Sequence, residues 1–490
     1  MPQPRRSPVL SALLGALALV SAMVAVAGPA AAAPNVVTAA NLTYAPAELT
    51  IRAGDTLTFV NPDRAPHDVV SEASGGDGKP LFRSAVIYVV AGTASAPVNG
   101  VDQLAPGSYG YFCSIHNQMR GRLTVEPAPA VPPVPDPALP TVVGSVPTAA
   151  SIAVHNGALY VASNSQGTVV RLPILPGGLL GQPTDHVTGL GGPLGIVFGP
   201  DGTLFVADSH ASTRPGRSTD GRVRAIPPGG GAAGTVGQIV VDLLPNGRHN
   251  TNGLAVNDGR LYIANGNSTD DGVAGGDPEE PLSGTLLSVK LDARGLTPAD
   301  VVPPTPDEEP KLIVEATGMR NLFDVAFRPG TSEAWIPTNG LDAQDPFGED
   351  LLHRAYVNGG APHFGFPECV YKRGADGRPE VGQNTAVTTP CGAHTPPEAL
   401  LGLHSSADGL AFGPAGGFWD GDLFIARFGN FFGAPNGRDV LRVPIDANGN
   451  AGEPVPIFVS STPLDVTFGP DGLYVADYGG TITLLRPRPV

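Results

Sequence analysis

Charge and aromatic rings are both scarce in this chain. Of its 490 residues, 15% are charged and 6% are aromatic. A core with so few rings must be built from Val, Leu, Ile and Ala. Lys and Arg total 29 against 45 Asp and Glu, a formal net charge of −16. That balance argues against nucleic acid and anionic membranes as partners. Long helices are hard to build among 65 Gly and 53 Pro, because both are unfavourable in helix interiors. Beyond the N-terminus no apolar run is long enough to span a bilayer. Disorder is excluded as well, since 41% of the chain is hydrophobic. Short apolar runs broken by Gly, Pro and Asp remain, and these predict an all-β protein.

Residues 1–33 read as an export signal. Arg5 and Arg6 precede an apolar stretch from Val9 to Ala27, and small residues follow at Ala30 to Ala33. A retained single-span anchor is the alternative. After cleavage the protein is expected to have no membrane span and to be secreted or periplasmic, in an oxidising compartment. Its cysteines are then Cys113, Cys369 and Cys391, an odd number. Cys369 and Cys391 share one Gly/Pro-rich stretch and are expected to form a disulfide. Cys113 is left over.

Residues 35–127 alternate like short strands of a β-sandwich. Within them runs Cys113-Ser-Ile-His116-Asn-Gln-Met119, with His67 far upstream. Two imidazoles, a thiolate and a thioether are the donor set of a blue copper site, in which Met is a weak axial ligand. Zinc takes His and Cys too, but Met is a poor zinc ligand. A buried free cysteine with incidental His and Met is the plainest alternative. With Tyr44 to Asp63 supplying the early strands, this module resembles the plastocyanin-like cupredoxins. Its short Cys-to-Met spacing is similar to that of amicyanin. The resemblance implies that His67, Cys113, His116 and Met119 bind copper and shuttle one electron, exchanging it with a redox partner protein.

Residues 128–140 are a Pro-rich linker. From there to residue 490 one pattern recurs six times. A small or acidic residue (Ser151, Gly195, Gly253, Asp324, Gly409, Asp465) opens a short apolar strand. A Gly/Pro/Asp turn and a second strand follow. Such repeats predict a six-bladed β-propeller, with Thr141 to Val146 closing the ring. Residues before first strands and after second strands should meet at one channel mouth. This points to His249, Asn252, Arg320, Asn321, His404 and Arg427 as candidate site residues. The insertion 339–404 is expected to lie over that mouth as a lid.

Three stretches carry a second resemblance: Arg248-His249-Asn-Thr-Asn-Gly-Leu-Ala-Val, Gly318-Met-Arg-Asn-Leu-Phe-Asp-Val-Ala-Phe, and His404-Ser-Ser-Ala-Asp-Gly-Leu-Ala-Phe. They are similar to the glucose/sorbosone dehydrogenases, soluble propellers that use pyrroloquinoline quinone (PQQ). The resemblance implies that His249 is a general base toward a sugar or alcohol hydroxyl. It also implies that Asn321 and neighbours, here Arg320, Asn252 and His404, hold the quinone, and that backbone near Gly340 binds calcium. One place departs from the pattern. The family has cations before the last blade, and this chain has Ser461-Thr-Pro-Leu-Asp465, leaving Arg427 as the replacement. The expected function is a dehydrogenase-like propeller passing electrons to its own copper module. A lactonase-type hydrolase or a binding scaffold beside the copper module are the alternatives.

Overall fold

In a computed structural model, the structure describes residues 35–52, 55–75, 78–87, 94–126, 140–214, 218–274, 277–305, 308–342, 346–357, 359–417, 419–429 and 436–487. The expected signal 1–33 and nearly all of the linker 128–140 lie outside them. The chain divides into two compact units, Met1–Pro133 and Val134–Val490.

In the first unit, alternation decides the architecture. Val36–Ala40 buries every second side chain, as a strand with one face on a core must. Val36–Ala40 runs parallel to Thr58–Asn61, and Glu48–Arg52 runs parallel to Arg120–Glu126. Val37 and Phe59 from one pair share a core with Tyr111 and Leu123 from the other side, so the inner faces pack as a sandwich. Tyr44 and Tyr111 meet edge to face at 4.9 Å.

Among the described residues the second unit forms a ring of six sheets, antiparallel apart from one short parallel pair, with two small hairpins beside it. The innermost strands are neighbours in sequence order, and Pro463–Gly469 neighbours Ala149–His155 to complete the circle. The last sheet combines Pro463–Gly469, Gly472–Asp477 and Thr481–Leu485 with Thr141–Ser145, which pairs antiparallel with Thr481–Leu485. The repeated small-or-acidic residue has a physical reason. Asp465 Oδ2 accepts the backbone N–H of Ile152 at 2.7 Å, and Asp324 Oδ2 accepts that of Leu410 at 3.2 Å. These carboxylates clasp one sheet to another. Facing positions must then be glycine: a Cβ on Gly409 would fall 2.2 Å from Asp465 Oδ1, and one on Gly253 would fall 2.0 Å from Asp324 Oδ1. Burial holds both carboxyls above their usual range.

The expected lid is bounded differently. Glu349–Tyr356 and Ala399–Leu403 lie inside 339–404, yet they are paired blade strands. The chain between them leaves the sheet. It forms the hairpin Cys369–Arg373 and Pro379–Gln383, tied by the Cys369–Cys391 disulfide. None of its described residues lines the cavity that holds His249 and Arg320. Phe364 and Phe366 donate backbone N–H groups to Thr317 O and Gly318 O, and Asn384 Nδ2 donates to Asp271 O at 2.6 Å. It buttresses the loops that carry Arg320. Among the described residues no helix is long and apolar enough to cross a membrane.

Candidate functional site

The first unit brings three donors together. Strand Gly107–Phe112 ends just before Cys113. The chain then turns: Met119 N–H donates to His116 O at 2.8 Å, and Cys113 N–H donates to Met119 O at 3.2 Å. His67 arrives from a separate segment, paired antiparallel with Ile87. Cys113 Sγ stands 3.8 Å from His67 Nδ1 and 3.8 Å from His116 Nδ1. That is long for a hydrogen bond. A trigonal metal with bonds of about 2.0–2.3 Å would hold such atoms roughly 3.8 Å apart. Cys113, His67 and Met119 are buried, and His116 is half-buried. Burial and the neighbouring His116 hold the His67 imidazole below its usual pKa. Its Nε2 makes no hydrogen bond, with Asp63 Oδ2 standing 3.4 Å away.

The residue after His67 escaped the sequence analysis. Asp68 is fully buried. Its carboxylate accepts Ser114 N–H and Ser114 Oγ–H, both at 2.7 Å. It therefore ties the His67 segment to the loop that follows Cys113. The only sequence signal is adjacency, an Asp beside one donor and a Ser beside another.

In the second unit a cavity of about 640 Å³ gathers His249, Arg320, Asn321, His404 and Gly340 in its wall. Asn252 stands behind them, its Nδ2 donating to Asn321 Oδ1 at 2.9 Å. Arg427 is not in the wall. It is bidentate on Asp439 at 2.7 and 2.5 Å and donates to Leu401 O at 2.6 Å. That commitment removes it as a replacement cation. A second cavity, of about 720 Å³, runs along the innermost strands and holds none of the candidate residues.

His249 Nδ1 lies 2.6 Å from Asn267 Oδ1. Burial, and next the Arg320 charge, push its pKa down to about 3. Arg320 is itself buried and spoken for. Its guanidinium donates to Asp270 O at 2.8 Å and to Asp342 Oδ1 at 3.0 Å, and it pairs with the Asp270 carboxylate. Arg248 pairs with Asp342 as well. Asn321 Nδ2 donates to Asn339 Oδ1 at 2.7 Å, and Asn339 Nδ2 donates to Ala407 O at 2.9 Å. Asp350 accepts from Gly340 N–H, Ala407 N–H and Ser405 Oγ–H, each at 2.9 Å. Burial raises the pKa of both Asp350 and Asp408. Phe323, Phe428, Leu464 and the Tyr478 ring give the described wall an apolar side.

A cupredoxin-like domain family matches residues 11–125. Amicyanin-alpha of Methylorubrum extorquens is 30% identical over 121 residues, covering 24% of this chain and 92% of that protein. A glucose dehydrogenase crystal structure has a TM-score of 0.53 at 16% identity, over 72% of this chain and 100% of that one. A PQQ-bound aldose sugar dehydrogenase from Streptomyces coelicolor gives a TM-score of 0.50 at 19% identity, over 72% and 99%. At such identities these two structures establish the propeller fold of the second unit and nothing of its chemistry. Through its N-terminal domain, the chain belongs to the cupredoxin family.

Proposed function

We propose that this protein is an extracytoplasmic electron carrier. In this reading a type 1 copper, held by His67, Cys113, His116 and Met119, is joined to a propeller that takes a hydroxyl-bearing small molecule, a sugar or an alcohol. The observation that carries the proposal is the equal spacing of Cys113 Sγ from the two Nδ1 atoms, 3.8 Å each. Copper in such a set takes up and releases one electron at a time. The protein's part is to hold the donors in place. Asp68 and Ser114 fix the loop, and the sandwich core keeps water from Cys113.

In the propeller, His249 is the group that meets a hydroxyl. Its Nδ1 is occupied by Asn267, so Nε2 can accept the hydroxyl hydrogen. Oxidation of that alcohol, with electrons delivered to the copper, needs a two-electron acceptor between the two. PQQ is the acceptor implied by the resemblance, and it carries three carboxylates. The cavity does not suit it. Arg248 and Arg320 are already matched by Asp270 and Asp342, Arg427 is held by Asp439, and Leu464 lines the wall where a cation was wanted. We therefore route no step through the quinone. Calcium stays within the proposal as a structural ion near Gly340. Gly348 O and Glu349 O crowd against Gly340, and these are oxygen donors of the kind calcium takes; the buried Glu349 Oε2 makes no hydrogen bond.

The test is to load the full chain with Cu(II), record visible and paramagnetic resonance spectra, and assay dye-linked oxidation of sugars and alcohols with and without PQQ and calcium. An intense thiolate-to-copper band supports the copper reading, and its absence ends it. Oxidation that appears only with added quinone would overturn the exclusion of PQQ.

A further inference from the structure

We infer that the propeller cavity is built for an uncharged, largely apolar alcohol, one hydroxyl on an aromatic or branched aliphatic body, rather than for a free sugar or an anion. The inference rests on the reading of this cavity as the ligand site and names its ligand class.

Three observations converge on it. The first is charge. The two guanidiniums of the wall face two carboxylates, Asp270 and Asp342. Burial raises the carboxyls of Asp350 and Asp408, which disfavours further negative charge. Neither guanidinium is an unmatched positive charge waiting for an anion.

The second is hydrogen bonding. A free sugar brings a hydroxyl on nearly every carbon, and each needs a partner once it leaves water. The polar wall has largely spent its donors on itself. Asn252 donates to Asn321, Asn321 to Asn339, and Asn339 to Ala407 O. Arg320 gives its donors to Asp270 and Asp342. His249 Nε2 is an acceptor that none of these bonds uses, and it suits one hydroxyl.

The third is shape. Phe323, Phe428, Leu464 and Tyr478 supply the apolar wall, and Phe428 meets Tyr478 edge to face at 6.2 Å. An aromatic or branched body fits that side, and a cavity of about 640 Å³ has room for it.

The experiment is calorimetric titration of the copper-loaded full chain with 2-phenylethanol and with D-glucose. Wild type is compared with Leu464→Asp, Phe428→Ala and His249→Gln. The copper band and the thermal transition report folding, and Phe428→Ala stands in if Leu464→Asp does not fold. We expect 2-phenylethanol to bind about tenfold more tightly than glucose, and to weaken about tenfold in each variant. If glucose binds as tightly or more tightly and is lost in His249→Gln, the ligand class is overturned while the cavity remains the site. If neither probe binds, or binding ignores all variants, both the ligand class and the cavity reading are overturned.

Discussion

Asn267 fixes the proton of His249. Asn267 Nδ2 donates to Thr269 O at 2.7 Å and to Glu279 Oε1 at 2.8 Å. Those two acceptors leave no doubt which end of the amide is nitrogen. Oδ1 therefore faces His249 Nδ1, so Nδ1 carries the hydrogen and Nε2 holds the lone pair. Glu279 orients the amide, and the amide orients the ring.

Imidazole nitrogen NMR should show His249 as the Nδ1–H tautomer, with no titration between about pH 5 and 8. Burial keeps the ring neutral down to about pH 3. In Asn267→Asp a carboxylate would face the same nitrogen, favour the imidazolium and raise the pKa. A wild-type signal of the Nε2–H form, or one titrating near neutrality, would refute the arrangement. Signals are assigned by their loss in His249→Gln.

Cys113→Ser should abolish the visible copper band while the protein stays folded. The band requires a thiolate, and the other two cysteines are bonded to each other. Met119→Leu should keep the colour, because the axial thioether is a weak ligand. Full colour in the serine variant would remove Cys113 from the centre.

Asp68→Asn should raise the copper reduction potential and leave the band in place. A buried carboxylate beside the donors favours the more positive Cu(II), and neutralising it shifts the balance toward Cu(I). Asparagine can still accept Ser114 N–H, so the loop should hold. A redox titration reads the effect, and an unchanged or lower potential would contradict it.

His353 gives the pH dependence its clearest handle. Burial, with the neighbouring His394, lowers its pKa to about 3, and its Nδ1 has no hydrogen-bond partner. An unfolded histidine titrates near about 6.5. Between those values the unfolded chain holds a proton that the native state does not, so stability drains away as pH falls. Buried carboxyls with raised pKa slope the other way, which is why a difference between variants is needed. From about pH 7 to 5, wild type should lose roughly 2 kcal/mol more than His353→Phe. Urea unfolding at the two pH values measures it. Parallel losses would show that His353 is not buried as a neutral ring.

The cluster of candidate metal donors was legible because its signal is local. Cys113, His116 and Met119 sit on one loop at fixed spacing, and only His67 had to be found at a distance. The blade count was legible for a similar reason, since the residue opening each inner strand is chosen by its neighbour: Asp465 demands Gly409. What could not be read was how charges are spent. Arg320 and Arg427 look alike in sequence, two cations near strand ends. One lines the cavity because Asp270 and Asp342 hold it there, and the other turns to Asp439 within its own sheet. Such partners are decided by three-dimensional neighbours. The lid boundary failed because Glu349–Tyr356 lacks clean alternation, having both faces largely covered.

Thr141–Ser145 and Thr481–Leu485 are separated by nearly the whole propeller, yet they lie side by side as a clasp. The described strands of the first unit run from Val36 to Glu126. On a chain emerging from its N-terminus, that unit can be finished early, while the ring stays open until its final strand arrives. The first-made strand of the propeller must wait for the last-made one, and its exposed edge is a place where another chain could pair during that interval. Assembly of the ring is thus a long-range event set by loop closure rather than by local propensity. A chaperone that shields Thr141–Ser145 would act at the step where the propeller is most vulnerable.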